Sequence, residues 1–132
     1  MRQSISQILN HAGSLETKKE QVEYLQKNYH PGLVNFCRFA DPSLKWLVPE
    51  GAPPYKVSEY DEPSVLYTEA RRLYIFVEGG PKLTSLRREQ LFIELLETLD
   101  KDDAKLLIDL KDGKLPGTLT YAILKRAFET LP

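Results

Sequence analysis

Residues 86–116 hold two neighbouring segments in which apolar side chains recur with a helical period. The first places them at Leu86, Phe92, Ile93, Leu95, Leu96 and Leu99, and the second at Ala104, Leu107, Ile108 and Leu110. This spacing gathers the apolar side chains on one face of each helix and leaves charged side chains on the other. Helices this short are stable only when other helices cover the apolar face. The pair therefore predicts an all-α fold.

Further helices are predicted from the same periodicity and from residues that favour helix starts. Thr17 and Glu20 form a capping-box pattern, and Pro31 suits the first turn of a helix. Other predicted starts lie near Ile5, at Ser64, at Thr84 or Ser85, at Asp100 or Asp102, and at Thr118 or Thr120. On the fourth helix we expect six side chains to face inward: Leu66, Tyr67, Ala70, Leu73, Tyr74 and Val77. The sequence predicts one domain, residues 1–132, that is a compact irregular bundle of six or seven short helices.

One long proline-rich loop, residues 48–63, interrupts the helical pattern. Residues 49–63 contain four of the nine prolines and two tyrosines. Loops of this length in a compact domain are commonly functional or disordered. Two interpretations remain open. The loop wraps the domain surface, or it docks a protein partner through the residues Pro49, Pro53, Pro54, Tyr55 and Tyr60.

The charge distribution limits the classes of partner. The net charge is −1, with +2 in residues 1–47, −3 in residues 48–63 and balance elsewhere. Nucleic-acid-binding domains are usually basic, so any phosphate contact here must come from a local patch. The single cysteine, Cys37, forbids an internal disulfide and favours a reducing compartment. No apolar run approaches the roughly 20 residues that span a bilayer, so we expect the host cytoplasm and no membrane contact.

The reactive side chains do not form a recognisable catalytic or metal-binding pattern. His11 and His30 have no carboxylate or thiol at ligand spacing, and Asp100, Asp102 and Asp103 cluster where a helix start favours acids. Gly79-Gly80 suits a helix stop better than a phosphate loop. The sequence therefore predicts a protein that is not an enzyme, with no cofactor, no metal and no small-molecule substrate.

Basic doublets at residues 71–72, 87–88 and 125–126 have three open interpretations. In the first, they form exposed ion pairs with nearby glutamates, and each pair contributes little to stability. In the second, they belong to an arginine-rich protein interface whose members are Arg71, Arg72, Tyr67 and Tyr74. In the third, basic side chains bind nucleic-acid phosphates, and the binding residues are Arg72, Arg87, Arg88, Lys114 and Lys125. Gly113 and Gly117 would then allow the protein backbone to approach the nucleic acid closely.

Almost the whole chain resembles a family of small uncharacterised proteins of tailed phages, particularly contractile-tailed phages of marine cyanobacteria. The resembling strings are LVPEGAPPYK at 47–56, LYTEARRLYIFVE at 66–78, LRREQLFIELL at 86–96 and AKLLIDLKDGKLP at 104–116. This resemblance implies a phage origin and no particular biochemical activity.

The order of elements is also similar to the N-terminal helical DNA-binding domain of ATP-dependent DNA ligases. The similar features are Thr17–Lys19, Asp41-Pro42 and a closing pattern from Leu106 to Pro132. The resemblance implies that the turn with Asp112, Gly113, Lys114 and Gly117 approaches a DNA backbone. The acidic loop, the absence of a basic net charge and the absence of a nucleotidyl-transfer lysine motif depart from that family.

Together these features predict a non-enzymatic phage accessory protein in nucleic-acid transactions, with weak, sequence-independent contact to the DNA backbone. The alternatives are an adaptor that docks on a host or phage protein machine through the 49–63 loop, or a minor virion component, in either case without DNA contact.

Overall fold

The chain folds into seven α-helices and one 3-10 helix in the computed structural model, which describes residues 3–60 and 62–131. The α-helices are α1 (Ile5–Ser14), α2 (Lys18–Lys27), α3 (Pro31–Arg38), α4 (Val65–Glu69), α5 (Ser85–Thr98), α6 (Lys101–Lys111) and α7 (Tyr121–Ala127). The 3-10 helix, Ala70–Phe76, continues directly from α4. The described residues contain no strand. The predicted all-α bundle with one long non-helical segment is confirmed.

Side-chain caps begin most of these helices. The hydroxyls of Thr17, Thr84 and Thr120 and the carboxylate of Asp100 each accept a hydrogen bond from the backbone N–H three residues later. In α1 the cap is reciprocal, because Ser4 accepts from the Gln7 N–H while the Gln7 side chain accepts from the Ser4 N–H. Each cap satisfies a backbone donor that the helix itself leaves unpaired. The boundaries of these helices are therefore set locally.

A single cluster of buried apolar side chains joins all the helices. Phe36 on α3 and Phe92 on α5 are its largest fully buried members. Helix α2 packs against α7, α3 packs against α4 and the 3-10 helix, and α1 packs against α2 and α6. Cys37 lies in this core, and burial raises the pKa of its thiol.

The C-terminal end of α1 contacts the turn before α7 through two glycines. Thr118 donates its backbone N–H to the Gly13 carbonyl oxygen at 3.2 Å. A Cβ added to Gly13 would collide with the Pro116 backbone, and a Cβ added to Gly117 would collide with the Gly13 backbone. Gly117 also has a positive φ of 57°. The close backbone approach at Gly117 is thus to α1 of the same chain.

Two predicted apolar contacts are wrong. The helical period predicts that Tyr74 faces inward, but this side chain is 50% exposed because the chain leaves the α-helical register after Glu69. A 3-10 helix has three residues per turn, so its buried face comprises Ala70, Leu73 and Phe76 and turns Tyr74 outward. Leu86, in the first turn of α5, is 66% exposed rather than part of the apolar face.

Residues 45–47 pair with the end of the 3-10 helix through two backbone hydrogen bonds. Leu47 donates to the Phe76 carbonyl oxygen and Glu78 donates to the Lys45 carbonyl oxygen, both at 2.8 Å. They enclose a single antiparallel bridge between Trp46 and Val77. This pairing places the start of the proline-rich loop beside the core.

Candidate functional site

A buried lysine at the end of α6 holds the first part of the proline-rich loop. The Nζ atom of Lys111 donates to the carbonyl oxygens of Pro49 at 2.8 Å and Gly51 at 3.0 Å. It also contacts the Asp112 Oδ1 atom at 2.6 Å. The Lys111 side chain is only 1% exposed. An ammonium group has three donors, so this arrangement accounts for all of them.

Asp112 also holds the loop, through the backbone N–H of Gly51. Both of its carboxylate oxygens accept from the Gly51 N–H at 3.2 Å. Burial by itself would raise the pKa of Asp112, but the hydrogen bonds from Lys111 and Gly51, with the charges of Lys111 and Lys114, outweigh burial and lower the pKa. We call Lys111, Asp112, Pro49 and Gly51 the Lys111 anchor.

Beyond the anchor, the loop follows the surface of α5. Residues 48–54 and the side chains of Glu89, Phe92 and Ile93 enclose a cavity of about 320 Å³. Further along, the Lys56 N–H donates to the Glu97 Oε2 atom at 2.8 Å. The loop is therefore fixed at two points, one at the end of α6 and one on α5.

Past the second point the loop presents apolar side chains to solvent. Val57 is 50% exposed and Tyr60 is 72% exposed. Of the five residues predicted to dock a partner, Pro49, Pro54 and Tyr60 are exposed. Tyr55 packs against the core instead, and the three prolines, Pro49, Pro53 and Pro54, line the cavity against α5. The sequence does not predict the exposure of Val57, since no pattern distinguishes this residue from its neighbours.

Arg88 does not contribute to a cationic surface, contrary to the prediction from its doublet. The residue is 7% exposed, and its guanidinium donates to the carbonyl oxygens of Ile75 at 3.2 Å and Pro81 at 3.3 Å. These carbonyls lie in the 3-10 helix and in the turn before α5. Arg88 therefore points inward and satisfies these two backbone acceptors.

Arg72 and Arg87 are exposed, and Glu94 lies near each of them. Arg87 is 4.0 Å from the Glu94 carboxylate, and Arg72 lines the same groove of about 200 Å³ as Glu94. Arg72 also pairs with Glu69 at 3.3 Å. Each arginine therefore has an acidic neighbour, as the ion-pair interpretation of the doublets predicts.

The other predicted phosphate-binding residues lie elsewhere. Gly113, with φ of 79°, and the exposed Lys114 follow the end of α6. Lys125 on α7 places its Nζ atom 5.9 Å from the centre of the Tyr121 ring. In the proposed arginine–tyrosine interface, Arg71 is exposed but Tyr67 is buried and donates its hydroxyl to the Gln3 carbonyl oxygen at 2.6 Å.

Within residues 3–60 and 62–131, no three His, Cys, Asp or Glu side chains are grouped so as to hold a metal ion. The two histidines have structural contacts. His30 accepts from the Gly32 N–H at the start of α3, and the His11 ring lies 4.5 Å from the Tyr24 ring. None of the described helices has the length and apolar content needed to cross a membrane.

A sequence profile for DUF6433, a family of unknown function, matches residues 8–117. The chain belongs to this family. The DUF6433 match runs from α1 to the turn after α6, so it includes the proline-rich loop and the whole Lys111 anchor. The chain matches no curated protein and no solved structure at a significant level. Membership in DUF6433 names neither a phage nor a ligase, so both of those resemblances stay predictions.

Proposed function

We propose that this DUF6433 protein is a non-enzymatic adaptor that docks a phage or host protein through the loop of residues 49–63. The observation that carries the proposal is that the loop is held by Lys111 and Glu97 yet displays Val57 and Tyr60. A loop that is already fixed loses less conformational freedom when a partner binds. Tyrosine is enriched in protein interfaces, which also favours this function.

The charge of the loop indicates the chemistry of the partner surface. Residues 48–63 carry four acidic side chains and one basic side chain. A complementary surface is basic and offers an apolar recess for Val57 and Tyr60. Complementary charge accelerates association and makes it sensitive to salt. The resemblance to proteins of tailed phages supports an infected cell as the setting.

A pair of loop variants tests the adaptor function. The wild-type chain, the double variant Val57→Ser/Tyr60→Ser and the control Tyr29→Ser are each used to capture proteins from phage-infected cyanobacterial cells. Tyr29 is a suitable control because it is 64% exposed and follows α2, outside the proline-rich loop. We expect the loop variant to recover at least about tenfold less of a partner that the wild type and the control both recover, as for loss of interface hot spots. Equal recovery by all three folded chains would contradict the proposal.

A second candidate function is weak contact with a nucleic-acid backbone. Lys114 favours it, because this exposed lysine follows a glycine with positive φ at a helix end. The resemblance to DNA ligases implies a DNA-contacting turn in this segment. Arg72, Arg87 and Lys125 are also exposed. Contact of this kind depends on phosphate charge rather than base sequence.

Duplex DNA distinguishes the two functions. Fluorescence polarisation of a labelled duplex at about 50 mM salt should rise at tens of micromolar protein if the backbone is bound, and Lys114→Gln should weaken binding. The control Lys56→Gln changes an exposed lysine of the acidic loop and should leave DNA binding unchanged. An unchanged polarisation with the wild-type chain would exclude the nucleic-acid function and leave the adaptor function intact.

A further inference from the structure

A second recess lies between residues 39–50 and the C-terminal end of α6. It encloses about 490 Å³, and its walls include Phe39, Asp41, Trp46, Glu50, Lys111 and Asp112. We call it the Trp46 groove. Its volume falls within the range of sites that bind small molecules or single side chains. Neither the exposed Val57 nor Tyr60 belongs to it.

The groove has an unbalanced negative charge. Lys111 is the one cation among its lining residues, and its ammonium is already bonded to Asp112 and to two loop carbonyls. The Lys111–Asp112 pair is therefore neutral and has no donor left for a ligand. Among the lining residues, the carboxylates of Asp41 and Glu50 remain, with a formal charge of −2 that favours a bound cation. The charge of Lys114, which acts on Asp112 beside the groove, offsets part of it.

An aromatic wall accompanies these carboxylates. Trp46 is partly exposed, and its ring lies 6.4 Å from the Phe39 ring at an interplanar angle of 64°. Indole is the side chain that attracts cations most strongly through its ring face. A guanidinium also stacks on aromatic rings and donates two parallel hydrogen bonds to a carboxylate, whereas an ammonium is a compact, strongly hydrated charge.

We propose that the Trp46 groove binds an arginine side chain of a partner protein. The inference rests on the proposed adaptor function and names the residue that the partner contributes. Glu50 lines the groove and belongs to the proline-rich loop, so the groove and the loop are continuous at this residue. A basic partner surface is also what the charge of the loop requires.

Trp46 makes the test direct because it is the single tryptophan of the chain. Its fluorescence is followed while the acetylated, amidated peptide Gly-Gly-Arg-Gly-Gly is added to the full chain. Matched peptides carry citrulline or lysine in place of arginine. We expect a saturable change in emission, with an apparent Kd at least about tenfold lower for the arginine peptide than for either control.

Isosteric variants then locate the binding. Asp41→Asn/Glu50→Gln should raise the Kd of the arginine peptide at least about tenfold, while Glu59→Gln, an exposed acid outside the groove, should leave it unchanged. Circular dichroism establishes that each variant is folded. The asparagine keeps an oxygen that can accept from the Ser43 N–H, as Asp41 does at 2.9 Å.

Three results would overturn the inference: equal Kd values for the arginine and citrulline peptides, equal Kd values for the arginine and lysine peptides, or no saturation up to about 10 mM. The adaptor function is tested separately, because Val57→Ser/Tyr60→Ser should lower partner capture at least about tenfold without changing the response of Trp46. If Trp46 emission does not change with the arginine peptide while the loop variant still loses partner capture, only the arginine site is refuted.

Discussion

Replacing Lys111 with methionine should destabilise the fold and release the proline-rich loop. The substitution keeps the length and apolar stem of the side chain but removes the ammonium. Asp112, whose side chain is 9% exposed, then loses its cation, and the carbonyls of Pro49 and Gly51 lose their donor. Removing one partner of a buried ion pair costs about 3–5 kcal/mol. We expect a loss of about 3 kcal/mol at pH 7, since Asp112 keeps the Gly51 N–H as a partner.

The cost should shrink in acid. The pKa of Asp112 is lowered in the fold, so the pairing contributes its full stability above the pKa of the unfolded carboxyl, about 3.8. That contribution is lost as the pH falls through the lower folded pKa. Lys111→Met/Asp112→Asn should be more stable than Lys111→Met at pH 7, because no uncompensated carboxylate remains.

Urea denaturation at pH 7 measures the unfolding free energy, and hydrogen exchange at the Gly51 amide reports on the loop. The control is Lys105→Met, which changes an exposed lysine of the same helix and should cost less than about 1 kcal/mol. We expect faster exchange at Gly51 in Lys111→Met and not in the control. Equal unfolding free energies for the two variants, or unchanged exchange at Gly51, would refute the anchor.

Three further predictions concern other parts of the fold. The pKa of Asp103 is raised to about 6, mainly by burial, so the unfolding free energy should fall by about 2–3 kcal/mol as the pH rises from about 4 to 6. Denaturation at several pH values should show that Asp103→Asn lacks this pH dependence, and an unchanged pH dependence would contradict the prediction. Gly117→Ala should lower the melting temperature more than Gly113→Ala, because both glycines have a positive φ but only Gly117 contacts the backbone of Gly13. Equal decreases in melting temperature would contradict this contact. The buried Cys37 thiol should react with a thiol reagent at the rate of unfolding, and rapid labelling of the native protein would show that the core is open.

The sequence alone was enough for the elements whose cause lies within a few residues. The caps at Thr17, Thr84, Asp100 and Thr120 each satisfy a donor three residues away, so residue type and spacing narrow each helix start to one or two candidate residues. The apolar period predicts most of the buried side chains where the helix keeps 3.6 residues per turn, although Leu86 in the first turn of α5 is exposed. It fails after Glu69, where a 3-10 turn changes the period and exposes Tyr74. The proline-rich segment was also recognisable by its composition.

Only the tertiary structure decided the roles of the polar side chains. Lys111 and Arg88 look like ordinary surface cations on amphipathic helices, but both are buried because each satisfies backbone carbonyls. For Lys111 those carbonyls lie 60 and 62 residues away in the chain. No local pattern encodes such a distant acceptor, since its position depends on how the loop crosses the packed helices. The local sequence therefore determined the helices of this protein, and long-range hydrogen bonding determined which side chains remain at its surface.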